Sequence, residues 1–200
     1  MSTDLTDQMV LLGDSLTEYW NWSEVTSKLK VINQGIGGDT SMGLLSRVSY
    51  AADLRPKIIS LQVGINDLSQ GLEPSEIAEN HLLIWKEINQ KTPQSHLIVN
   101  SLMPLRREKL DWATDTLHNH KVRQTNQLLK ANYQKVKNGL VDQLRFEKGL
   151  SWLDLYSLCA DPEGELPAHM TDDGVHLTWS AYWTWTEALK RHLALIMDWA

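Results

Sequence analysis

Ser15 stands just past the apolar run Met9–Leu12, in the tetrapeptide Gly13-Asp14-Ser15-Leu16. A short buried strand that ends in a tight Gly turn throws the next side chain out at the carboxyl edge of a sheet. That edge is where open α/β sheets place their ligands. A hydroxyl there is a candidate nucleophile, provided a base and donors for an oxyanion stand nearby. Gly-Asp-Ser is also ordinary turn composition, so the tetrapeptide needs company. Asp172-Asp173-Gly174-Val175-His176-Leu177-Thr178 supplies it. Asp173 and His176, two residues between them on a turn, can hydrogen-bond, the acid holding the imidazole tautomer and stabilising the imidazolium. His169 is a weaker rival base, with Asp172 three residues beyond it. The remaining histidines, His81, His96, His118, His120 and His192, fall in helical or strand patterns or at their ends, without comparable context.

Two further blocks carry candidate donors. In Asn33-Gln34-Gly35-Ile36-Gly37-Gly38-Asp39-Thr40 the glycines let the backbone approach a ligand and point an N–H at it. As a plain strand-to-helix turn, the same block offers Asp39 or Thr40 as a helix N-cap. A dinucleotide fingerprint G-x-G-x-x-G fails, because Thr40 stands where the third Gly belongs. In Val63-Gly64-Ile65-Asn66-Asp67 a strand again ends in Gly, followed by a side-chain amide. Asn66 could serve only an Asx turn. On a strand neighbouring the first, it is also a donor for an oxyanion.

The elements that must position these residues alternate along the chain. Strands are expected at Met9–Leu12, around Val31-Ile32, and at Lys57–Val63, His96–Leu102 and Leu150–Leu155. Helical patterns cover Met42–Ala52, Pro74–Gln90, His118–Val136 and Thr178–Trp199, and Glu73-Pro74-Ser75-Glu76 opens the second with Pro in its first turn. Such alternation implies a parallel sheet with helices on both faces. Pro104–Thr116 and Tyr156–Asp173 are left as long irregular stretches, a type that is often functional. With 200 residues and no convincing linker, a single domain spanning 1–200 is expected.

Composition narrows the partners. A 42% hydrophobic, 22% charged chain reads as a soluble globular protein. Its net charge of −6 and its lack of a basic stripe argue against nucleic acid. No apolar run is long enough to span a bilayer, and the polar, acidic Met1–Gln8 does not read as a signal peptide, so a cytoplasmic location is expected. Cys159, the single cysteine, excludes an internal disulfide and any multi-Cys metal site. No metal and no cofactor are called for.

The four blocks, Gly13–Leu16, Asn33–Thr40, Gly64–Asp67 and Asp173–His176, resemble in order and placement those of the SGNH (GDSL-type) hydrolase family, acetylhydrolase-like members included. The resemblance spans nearly the whole chain. It implies a flavodoxin-like three-layer α/β/α sandwich with a five-stranded parallel sheet. It also implies a catalytic triad of Ser15, Asp173 and His176, with an oxyanion hole from the Ser15 and Gly38 amides and Asn66. The α/β-hydrolase elbow G-x-S-x-G is absent.

The expected reaction is hydrolysis of a small-molecule short-chain acyl ester, acetyl first, through an acyl-enzyme. Alternatives are a lysophospholipase or thioesterase with longer acyl preference, and a catalytically silent relative that binds a carbohydrate or protein. A plain nucleotide-binding sandwich is the non-hydrolase alternative. Nine Trp against one Phe also stand out. Trp20, Trp112 and Trp179 are candidate substrate-binding walls, whereas Tyr182, Trp185, Leu189 and Leu193 recur at core spacing. The stretch Asp161–Leu166 looks like the loop that shapes the leaving-group side in small acetylhydrolase-like members.

Overall fold

The computed structural model describes residues 5–110 and 116–197. Five strands form one parallel sheet: β1 (Thr6–Gly13), β2 (Lys30–Gly35), β3 (Pro56–Gln62), β4 (His96–Asn100) and β5 (Leu150–Leu153), in the order β2-β1-β3-β4-β5. This is the flavodoxin-like, doubly wound order, with its switch point between β1 and β3. The ends of those two strands, Gly13 and Gln62, are cross-strand partners.

Helices cover both faces, which is why the central strands read as unbroken apolar runs. Val10 and Leu12 point to one face, against α2 (Ser41–Asp53), α4 (Pro74–Lys91) and α5 (Asn119–Lys137), through Leu44, Val48, Ile84, Trp85 and Val136. Met9 and Leu11 point to the other, where α7 (Trp179–Ile196) lays down Tyr182, Trp185, Leu189 and Leu193, the positions that spacing assigned to the core. The two sides of β1 thus build two apolar layers, completing the three-layer sandwich. Among the described residues, no helix is long and apolar enough to cross a membrane.

Element ends have local causes. Glu73 and Glu76 close a capping box on α4 behind Pro74, and Thr40 caps α2 by accepting from the Gly43 amide at 3.1 Å. β4 stops at Asn100, short of the expected Leu102. The side-chain amide of Asn126 there brackets the Leu102 backbone, accepting from its N–H at 2.8 Å and donating to its carbonyl at 2.9 Å. β5 ends at Leu153, because Asp154 caps the short α6 (Leu155–Cys159), which occupies the start of a stretch expected to be irregular. Two more short helices, α1 (Ser15–Glu18) and α3 (Ile65–Ser69), were not anticipated; four or five residues are too few to show a helical period.

Candidate active site

β1 delivers Ser15 to the carboxyl edge of the sheet through a turn that only Gly fits. A Cβ on Gly13 would lie 2.1 Å from Thr17 Oγ1 and 2.4 Å from the Gln62 carbonyl oxygen. Asp14 then caps α1, its Oδ1 accepting from the Leu16 amide at 3.0 Å. Ser15 becomes the first helical residue, a position whose own N–H has no intrahelical acceptor. Asp14 is buried, and its Oδ2 has no hydrogen-bond partner. Burial above all, with the nearby Asp39 and Asp67 charges, pushes its carboxyl up to about 7, although the Leu16 amide pulls the other way.

The turn before α7 brings the candidate base. Ser15 Oγ lies 2.9 Å from His176 Nε2, and His176 Nδ1 lies 2.5 Å from Asp173 Oδ2. Asp173 Oδ1 accepts from the Val175 and His176 amides at 3.0 and 2.8 Å, so the carboxylate holds both the ring and the turn that carries it. Partial burial pushes the Asp173 carboxyl upward. The bonds from the His176 ring and the two amides outweigh that and hold it below the usual carboxylate range. An ionised Asp173 only accepts hydrogen bonds, so Nδ1 carries the proton and the Nε2 lone pair faces the Ser15 hydroxyl. The ring at Ser15 is thus His176; the rival His169 sits in a 3-10 turn at Ala168–Met170.

The donor blocks converge from β2 and β3. Gly38 has φ +76°, a conformation that side-chain-bearing residues rarely adopt. Asn66, in α3, donates from Nδ2 to the Asp39 carbonyl at 2.8 Å. Asp67 accepts from the Ser41 amide, at 2.9 Å on its nearer oxygen, and from the Ser41 hydroxyl at 2.5 Å, locking α3 to the start of α2. Asp39 and Asp67 therefore tie down their loops.

Three neighbours carried no signal in the sequence. Arg47 of α2 reaches back to Asp39 Oδ2 (2.8 Å), the Gln34 carbonyl (2.8 Å) and the Gly13 carbonyl (3.0 Å). Tyr19 sets its ring 5.3 Å from the His176 ring, tilted by 33°. Glu18 Oε2 accepts from the Gly37 amide at 2.7 Å.

This geometry coincides with a family match over residues 11–183, to the GDSL-like lipase/acylhydrolase model. The chain belongs to that family. It is accordingly a GDSL-type acylhydrolase. Platelet-activating factor acetylhydrolase IB subunit alpha2 of Homo sapiens is 31% identical over 185 residues, 90% of this chain and 72% of the relative. The Gallus gallus protein of the same name is 32% identical over the same length. A solved structure from Streptococcus pneumonia, named for platelet activating factor, superposes with a TM-score of 0.76 at 25% identity, covering 96% of this chain and 86% of that one. A GDSL-like lipase from Bacteroides thetaiotaomicron shares the fold with the same TM-score at 20% identity, covering 96% and 89%.

Around the acylhydrolase site the expected tryptophans take different places. Trp20 stacks on Tyr182 with ring centroids 4.8 Å apart and planes 8° apart, its indole N–H donating to Thr186 Oγ1. Trp179 packs edge-on to Trp20 and Trp183 yet stays 68% exposed. Trp112 lies outside the described residues. The Asp161–Leu166 loop folds on Asp161 and is fastened to Arg106 at 3.2 Å. The Arg106 amide donates to the Gly174 carbonyl at 2.9 Å, which couples the loop to the Asp173–His176 turn.

Proposed function

We propose that this acylhydrolase cleaves short-chain acyl esters, acetyl esters above all, with Ser15 as nucleophile. The observation that carries this reading is the unbroken chain from Ser15 Oγ to His176 to Asp173, at 2.9 and 2.5 Å. Ser15 Oγ attacks the ester carbonyl as His176 Nε2 takes its proton. The tetrahedral oxyanion is held by the Ser15 and Gly38 amides and by Asn66, whose second amide hydrogen is left over from its bond to Asp39. Collapse expels the alcohol, which receives the proton from Nε2, and a water repeats the cycle on the acyl-enzyme. Asp173 steadies the imidazolium throughout. The acetylhydrolase names of the relatives at 31–32% identity support the short acyl group.

The test is hydrolysis of p-nitrophenyl acetate, butyrate and octanoate by the protein and its Ser15→Ala variant. The variant should lose at least roughly 10³-fold in kcat. Acetate or butyrate should be preferred. A peak at octanoate would assign the lysophospholipase or thioesterase alternative instead, and equal rates in both proteins would remove Ser15 from the chemistry.

A further inference from the structure

The side of the site on which the alcohol sits follows from proton transfer. His176 Nε2 must protonate the leaving oxygen, so side chains packed around the imidazole border the alcohol rather than the acyl group. One such side chain is Tyr19, with its ring 5.3 Å from the imidazole and 61% of its surface open. Beside it, Gly37 leaves a recess. A Cβ there would stand 4.0 Å from Ser15 Cβ, 3.7 Å from the Tyr19 hydroxyl and 2.9 Å from Glu18 Oε2. The Glu18 carboxylate is fixed at this recess by the Gly37 amide.

We infer that Tyr19, Gly37 and Glu18 form the alcohol subsite, and that it takes an alcohol bearing a flat ring and no negative charge. The inference rests on the ester hydrolysis proposed above and adds the class of leaving group. An exposed ring face beside the imidazole favours a flat partner, since ring pairs gain beyond the area they bury. A carboxylate held at the recess repels an anionic alcohol. Gly37 keeps the recess open for the edge of a ring, and its backbone φ is not in the left-handed region, so Ala there demands only that the Glu18 carboxylate, 2.9 Å from the added Cβ, move aside.

The experiment compares kcat/KM for phenyl acetate and ethyl acetate, which share an acyl group, in the parent, Tyr19→Ala, Tyr19→Phe, Gly37→Ala and Ser15→Ala proteins. Tyr19→Ala should lower the phenyl-to-ethyl ratio about fivefold to tenfold. Tyr19→Phe, which keeps the ring, should restore it. Gly37→Ala should lower the ratio by filling the recess. With Ser15-dependent turnover intact, a ratio unmoved by Tyr19→Ala, or a parallel loss on both esters, overturns the subsite and leaves the hydrolase reading standing. Turnover that survives Ser15→Ala overturns Ser15 as the nucleophile and the subsite with it.

Discussion

Burial makes Asp14, the neighbour of the proposed nucleophile, an acid that titrates near neutrality. Its carboxyl rises from the usual 3.8 to about 7 in the folded protein, chiefly because no water reaches it. Between those two pH values the unfolded chain is ionised while the folded one keeps its proton, so stability falls as pH climbs. Above 7 the whole penalty is in force, roughly 3–5 kcal/mol by linkage. Asp14→Asn keeps an acceptor for the Leu16 amide and removes the charge. It should therefore stabilise the protein by up to about 3 kcal/mol at pH 8 and by much less at pH 4. Urea melts at the two pH values check this, and an equal effect at both would show that the charge is not the cause. Little of this was legible in the sequence. Asp14 read as a turn residue, and its cap to Leu16 agrees with that; its lone buried oxygen depends on what packs above it. Tyr19 carries no signal for a similar reason, since nothing local says which of three successive aromatic or acidic residues will face His176.

At the scale of elements, the short loops that follow the strand ends carry the candidate site, and one helix holds them in register. Arg47 of α2 joins the ends of β1 and β2 to Asp39, partners 34, 13 and 8 positions away in sequence. Asn66 in turn holds the Asp39 carbonyl, so a shift of Asp39 moves two of the three proposed oxyanion donors together. Arg47→Met should cost about 1–3 kcal/mol in a denaturant melt, because Asp39 and two carbonyls lose a charged donor. The same change should lower kcat at least about tenfold with KM nearly unchanged, as expected when only transition-state contacts are displaced. Normal kcat in a destabilised variant would mean that the loop keeps its place unaided. Caps, strands and the longer helices were readable because their signals are local: Pro74 behind Glu73, Thr40 ahead of α2, alternating apolar runs. Arg47 looked like any polar-face residue of an amphipathic helix, and its partners become neighbours only once the sheet forms.

For the molecule as a whole, alternation of strand and helix was enough to foresee a parallel sheet covered on both faces. The β2-β1-β3 order then explains why the turns that carry Ser15 and Asn66 leave the sheet next to each other, because β1 and β3 lie side by side and end together. At the opposite end of the sheet, His96 and His192 share the Ser151 hydroxyl at 2.9 and 2.7 Å. Burial holds both below the ordinary histidine range, as it does His81, whose Nε2 meets the Val63 carbonyl. The unfolded chain takes up protons on these rings first, so their contribution to stability is present above about 6.5 and is lost as pH falls below it. Relative to the parent, His192→Asn should lose less stability between pH 7.5 and 5.5, read as a smaller drop in Tm. An unchanged pH slope would place the acid sensitivity elsewhere. The contact between the Ser15 hydroxyl and the His176 ring closes a loop of 161 positions. A chain emerging from the ribosome therefore displays Ser15 and all five strands before the Asp173–His176 turn has been synthesised. Until that turn docks, the nascent protein carries the hydroxyl without its proposed base, so its capacity to cleave esters waits until the sheet and α7 have come together.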